Sequence, residues 1–226
     1  MTVKRSLIFT AAVIVILASL ISVYRTLRER APQLDSQHFT AQGEVVAEET
    51  IKALGNKGHL VILTIEASGP DAATAAEWLL TSFQKTLKEK SPITVIATET
   101  FQFPPYVDSD SVPVTDGVSD EFLLQAFRKY PAASAIVSFA GVPLLQDEQI
   151  GALGPNVPRL IVASNVGLSP HGALKKLFDA NLVLFAATPR TTPPPASTPQ
   201  TSREVFDRFF QIVTPEKFEE VDRYLQ

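Results

Sequence analysis

Between residues 58 and 190, short runs of apolar residues alternate with longer stretches in which apolar positions recur every three or four residues. Leu60-Val-Ile-Leu-Thr-Ile65, Ile93 to Ala97, Ala135 to Phe139, Leu160 to Ala163 and Leu182 to Ala186 are nearly free of polar side chains, which is the pattern of strands covered on both faces. The stretch from Asp71 to Lys90 places Ala72, Ala75, Ala76, Leu79, Leu80, Phe83 and Leu87 on one helical face. It ends in Lys85, Lys88 and Lys90, which complement the helix dipole. Ser119 to Tyr130 predicts a helix with Ser119 as N-cap, residues 145–153 a short helix, and Pro170 to Phe178 a helix capped by Ser169. Glu44 to Leu54 predicts an opening helix, with Glu48 and Lys52 at i,i+4 and Gly55 just past its end. Repeated strand–helix–strand units imply right-handed crossovers, and hence a three-layer, doubly wound α/β domain on a mostly parallel sheet of five or six strands.

The pattern changes at both ends. Ser6 to Tyr24 is a run of 19 uncharged, mostly aliphatic residues. As a helix it spans about 28 Å at ~1.5 Å per residue, enough to cross a bilayer. Ala18-Ser19-Leu20 and Ile21-Ser22-Val23 make poor cleavage sites, and Arg25, Arg28 and Arg30 suit an interfacial position, so the run reads as an uncleaved transmembrane anchor. A very short N-terminal tail favours a body outside the cytoplasm. The segments are then 1–30 as anchor, 31–42 as tether, 43–189 as the α/β domain, 190–201 as a Pro-rich loop, and 202–226 as a returning segment. In that last segment Phe206, Phe209, Phe210, Ile212 and Val213 precede Thr214-Pro215-Glu216, with Thr214 suited to an N-cap and Pro215 to the first helical position. A strand over 208–213 and a helix over 215–225 are expected, docked on the α/β domain.

Charge and composition narrow the chemistry. Lys4, Arg5, Arg25, Arg28 and Arg30 against Glu29 give residues 1–30 a balance of +4 in a chain of net charge −4, so the other 196 residues carry −8. An acidic body is a poor partner for nucleic acid. The absence of cysteine excludes disulfides, thiolate catalysis and Cys-ligated metals. His38, His59 and His171 show no metal-ligand spacing, and Asp108 to Gly117 has Val112 and Pro113 where a calcium loop needs acid and Gly. Neither a metal nor a cofactor is expected. Glu66-Ala-Ser-Gly-Pro-Asp71 lacks the spacing of a phosphate loop, and Gly167-Leu-Ser169-Pro-His171 lacks the second Gly of a nucleophile elbow. Asp71 suits a helix cap, and Trp78, at the side of its helix stripe, suits packing under a neighbouring loop.

Three segments carry a family resemblance: Tyr130-Pro-Ala-Ala-Ser-Ala-Ile-Val-Ser-Phe-Ala-Gly141, Pro158-Arg-Leu-Ile-Val-Ala-Ser-Asn165 and the stretch from Gly172 to Pro189. In their order and spacing they resemble a single lobe of the type I periplasmic sugar-binding and LacI-like regulator family. The resemblance covers roughly residues 58–190 and implies ligand recognition at the strand ends. The chain has Ala140-Gly141 where the family often has Asn-Asp, and Asn165 where it has Asp; Ser138 and Asn165 are the matched positions.

In open α/β sheets ligands bind beyond the carboxyl ends of the strands, near the point where strand order reverses. That rule selects Glu66, Ser68, Asp71, Glu99, Thr100, Ser138, Gly141, Ser164, Asn165, Thr188 and Arg190, with Ser68, Ser138 and Asn165 the ligand-binding candidates and no catalytic set. The expected function is a membrane-anchored, non-enzymatic α/β domain for protein interaction or recognition of a small polar ligand, in a cell-envelope assembly. The alternative is an anchored hydrolase or transferase using Ser138, Ser68 or Asn165 with Glu66 or Glu99 as base.

Overall fold

Strands with no polar face must be covered twice, and the computed structural model shows how this chain does it. The structure describes residues 36–67, 69–102, 118–163, 171–190 and 199–222, together with Ser19. The chain divides between Asp35 and Ser36, and every element below lies in the second unit. The expected membrane span, 6–24, lies outside the described residues apart from Ser19. Among the described residues no helix is long and apolar enough to cross a membrane.

The elements run α1 (Ser36–Ala53), β1 (His59–Ile65), α2 (Pro70–Lys90), β2 (Thr94–Phe101), α3 (Asp120–Lys129), β3 (Ala135–Ser138), α4 (Asp147–Leu153), β4 (Arg159–Val162), α5 (His171–Asp179), β5 (Val183–Pro189), α6 (Ser202–Phe209), β6 (Phe210–Val213) and α7 (Pro215–Asp222). They form a mixed α/β fold on one six-stranded sheet of order β2-β1-β3-β4-β5-β6. The first five strands are parallel, and β6 runs antiparallel to β5, with Ala186 opposite Val213 and Pro189 opposite Phe210.

Alternation of side chains along each strand divides the core. Leu60 and Ile62 of β1, Val137 of β3, Ile161 of β4 and Phe185 of β5 meet Val45 and Val46 of α1, Leu79, Phe83 and Leu87 of α2 and Phe206 of α6. Val61 and Leu63, Ile136, Leu160, Val162 and Ala186 point the other way, into Leu123 and Phe127 of α3, Leu174 and Leu177 of α5 and Phe218 of α7. The pattern breaks in β5, where a register shift between Leu160 and Ile161 leaves Val183 and Phe185 facing opposite layers, and again in β2. β2 is an edge strand whose residues alternate between exposed and half-buried, and the register slips between Leu60 and Val61, so that Val95 and Ala97 face opposite layers. Such an irregularity is one way an edge avoids pairing with other chains.

Several elements differ from the expectation. The opening helix begins at Ser36, so residues 36–42, expected as tether, are its first turns. Polar Gln37, Thr40 and Gln42 hide that helix from periodicity. The buried Gln42 amide donates to the Ala163 carbonyl at 3.0 Å, and Gly43 brings α1 against α2. Within α1, Lys52 pairs with Glu49 rather than Glu48, which instead meets Lys90 of α2. The N-cap of α2 is Gly69 with no side-chain cap, so Asp71 is a first-turn acid facing the helix dipole. Trp78 packs against Phe39 of α1, ring centres 6.4 Å apart, rather than under a loop. Residues 202–209, not expected to be helical, form α6: Thr201 accepts from the Glu204 amide while the Glu204 carboxylate accepts from the Gln200 amide. Ser119 caps α3 through the Phe122 amide, whereas the expected cap Ser169 lies outside the described residues.

A Cβ on Gly43 would stand 2.0 Å from Ser82 Oγ and 2.3 Å from the Leu79 carbonyl oxygen, whereas one on Gly151 of α4 meets nothing within 4 Å. Helix propensity alone would favour Ala at either site by about 1 kcal/mol. At Gly43 the clash reverses the sign: Gly43→Ala is expected to cost about 1–3 kcal/mol, a fall in Tm of roughly 2–12 °C for a body of this size. Gly151→Ala should leave Tm unchanged or raise it. Equal effects in thermal denaturation would refute the close crossing.

Phe206, Val213 and Phe218 of the last three elements are buried. Each large apolar side chain contributes about 1.5–3 kcal/mol on burial, against about 5–15 kcal/mol for a whole domain. Truncation after Thr201 should therefore lower Tm sharply or cause aggregation. A truncated body melting within about two degrees of the intact one would show that these elements are dispensable to the core.

Candidate functional site

The order of the sheet reverses between β1 and β3, whose carboxyl ends therefore frame the crevice where this fold class binds ligands. Ser138 is the last residue of β3, 1 % exposed, and its hydroxyl donates to the Gly141 carbonyl oxygen across a turn in which Gly141 takes φ 77°. The strand ends are tied together by the Phe139 amide on the Leu63 carbonyl and the Ala163 amide on the Ser138 carbonyl, each at 2.8 Å. A ligand that used the Ser138 hydroxyl would have to open this turn. Ser68, Ser164 and Asn165 lie outside the described residues.

Glu66 is exposed one residue past β1, its amide donating to the Phe101 carbonyl at 2.8 Å. Thr188, near the end of β5, is buried, and among the described residues its hydroxyl has no hydrogen-bond partner. Arg190 is exposed, and its Nε donates to the Phe210 carbonyl at 3.0 Å.

Glu99 sits on the edge strand. One of its oxygens accepts from Lys129 Nζ at 2.7 Å and from the Tyr130 hydroxyl, while Lys129 also lies 5.2 Å from the Tyr130 ring centre. The Lys129 ammonium first, and then the Tyr130 hydroxyl, hold the Glu99 carboxyl below its ordinary range. The same contact raises Lys129. A carboxylate held ionised by two donors is a weaker base than a free one. Tyr130 and Lys129 are adjacent at the end of α3, a position from which sequence spacing gives no sign of β2.

The described strand ends thus bring together backbone amides, carbonyls and one committed hydroxyl, without a serine paired to a base. No group of three or more His, Asp or Glu among the described residues could hold a metal ion. An apolar groove of about 440 Å³ lies elsewhere, between α3 and α4, lined by Leu124, Phe127, Gln149, Leu153 and Val157. It opens beside Pro131 and Asn156, which precede β3 and β4, and so at the amino ends of those strands.

No protein-family model matches the chain, and no curated protein matches it in sequence. Solved structures do resemble it. A protein assigned as a LacI transcriptional regulator from Bacteroides fragilis superposes with a TM-score of 0.51 at 13% identity, covering 80% of this chain and 61% of its own. AraP, an arabinose-binding protein from Geobacillus stearothermophilus, gives 0.48 at 12%, covering 80% and 62%, and a sugar-binding protein of a Bacillus halodurans transporter gives 0.48 at 16%, covering 81% and 64%. The chain shares its fold with the LacI-like regulator, and it spans about three fifths of the length of these structures.

The ion pair at Glu99 has a testable sign. A depressed carboxyl stabilises the fold above its unfolded pKa, and that contribution is lost as pH falls through the folded value. In Lys129→Met the first cause of the shift is gone, so the Glu99 midpoint, followed by carboxyl-carbon NMR, should rise toward the ordinary value of about 4.3. An unchanged midpoint would mean that the contact does not persist in solution.

Proposed function

We propose that the protein is a membrane-anchored, non-enzymatic recognition lobe, held in a bilayer by residues 6–24 and presenting the carboxyl ends of its strands to a small polar ligand or a protein partner in a cell-envelope assembly. The observation that carries this reading is the strand order with its reversal between β1 and β3. In such sheets the reversal leaves a crevice that no crossover helix fills. The described polar groups around it are hydrogen-bonded donors and acceptors rather than a nucleophile with its base, which suits recognition over chemistry. Thr188, whose buried hydroxyl has no partner among the described residues, adds one group to Ser68, Ser138 and Asn165 as ligand contacts.

Anchoring is supported by the 19-residue uncharged run and the arginines that follow it. Lys4 and Arg5 on the cytoplasmic side would place the body outside the cytoplasm, against the pull of Arg25, Arg28 and Arg30 beyond the run.

Two measurements on the full chain test the reading. It should remain in the membrane pellet after carbonate washing; release into the supernatant, or a native amino terminus at or beyond residue 20, would overturn the anchor. In mild detergent, a panel of monosaccharides should raise Tm with at least one member, or a stoichiometric protein should co-purify. A lone chain indifferent to every sugar, or one that hydrolyses ester or glycoside substrates and loses that activity in Ser138→Ala, would overturn recognition as its role.

A further inference from the structure

Five aromatic rings from four elements meet at one end of the layer formed by α1, α2 and α6. His38 and Phe39 lie in the first turn of α1, Trp78 on α2, Phe209 at the end of α6 and Phe210 at the start of β6. The His38 ring centre stands 4.3 Å from Phe209, 5.2 Å from Phe39 and 5.3 Å from Phe210, and Phe39 stands 6.4 Å from Trp78. Phe39 and Phe210 pack against the buried residues of that layer. All five rings remain partly open to solvent. Phe209 is 46 % exposed, and His38, Phe39, Trp78 and Phe210 are each only half-buried. One exposed ring is ordinary; a contiguous group drawn from both ends of the sequence marks a contact surface. Arg190 borders it, exposed, with its Nε on the Phe210 carbonyl.

The occupant follows from the length of chain that precedes the patch. The apolar run ends at Tyr24 and α1 begins at Ser36. Those twelve steps reach no farther than about 43 Å even when fully extended, about the diameter of a domain of this size. The first turn of α1, which carries His38 and Phe39, is therefore tethered within one domain diameter of the membrane boundary. Aromatic rings favour the headgroup level of a bilayer, and an arginine at the rim can extend its guanidinium to lipid phosphates.

We propose that this aromatic end of the α1 layer rests in the headgroup region of the bilayer that holds residues 6–24, as a second, reversible membrane contact. The inference rests on the anchoring reading above. It turns the carboxyl end of β5 toward lipid, with Arg190, one of the strand-end positions, at the rim, and it uses neither Ser138 nor Thr188.

Trp78 is the sole tryptophan of the chain, so its fluorescence reports on the patch alone. The full chain is reconstituted into phosphatidylcholine vesicles, and flotation reads the anchor independently of the patch. Trp78 emission is then compared in vesicles whose lipids carry bromine near the headgroup end of the acyl chain or near its methyl end. Strong quenching by the shallow bromine and weaker quenching by the deep one are expected. Phe209→Asp, at an exposed position, should float equally well and lose about half of that quenching or more. A chain that floats with Trp78 unquenched overturns the inference alone and leaves the patch to a protein partner. Equal quenching in Phe209→Asp overturns it too, because the contact would not involve the patch. A chain that fails to float overturns the anchoring reading and this one with it.

Discussion

A parallel sheet built from residues such as Leu60, Val61, Ile62 and Leu63 has no face that water can cover, and all four of these side chains are fully buried. This obligation organises the molecule. Because successive side chains point to opposite sides, one strand feeds two cores, and helices must be supplied to both. The chain supplies α1, α2 and α6 to one side and α3, α5 and α7 to the other. The edges are where the obligation lapses. β2 is half-exposed and irregular, and β6 closes the opposite edge by returning antiparallel.

The layer holding α1 depends on contacts between residues far apart in sequence. Gly43 lets α1 approach the backbone of α2, and Gln42 reaches the end of β4. From the other end of the chain, α6 lies along α1: Arg203 Nη1 meets Glu49 at 2.7 Å, and the Ser202 hydroxyl donates to Glu44. Burial alone would raise the Glu49 carboxyl, but hydrogen bonds from Arg203 and Lys52 outweigh it and hold the group below its ordinary range. The first and last parts of the body thus stabilise each other. Residues 199–222 belong to the same fold as the elements that precede residue 190; the Pro-rich segment between them, 191–198, lies outside the described residues.

At the strand ends the same economy of polar groups appears. Ser138 closes a turn, Glu99 is taken by Lys129 and Tyr130, and the backbone amides of residues 139 and 163 are bonded to neighbouring strands. Groups so engaged are committed to holding the strand ends together.

Period and composition determined the strands and most of the helices, because both faces of each strand and one stripe of each helix had to be apolar whatever their neighbours. They also determined the layer count and the sense of the crossovers, which follow from local chirality. The tertiary structure alone decided where polar residues belong. Nothing in Ser36-Gln-His-Phe-Thr-Ala-Gln-Gly43 marks two helical turns, since Gln42 is buried only because the Ala163 carbonyl, 121 residues away, accepts its amide. α6 was legible in principle, from Thr201-x-x-Glu204, but its register against Glu44 and Glu49 was not. Apolar burial is a property of one residue and its period. A hydrogen bond or a close helix crossing belongs to two residues at once, and only the folded chain pairs them.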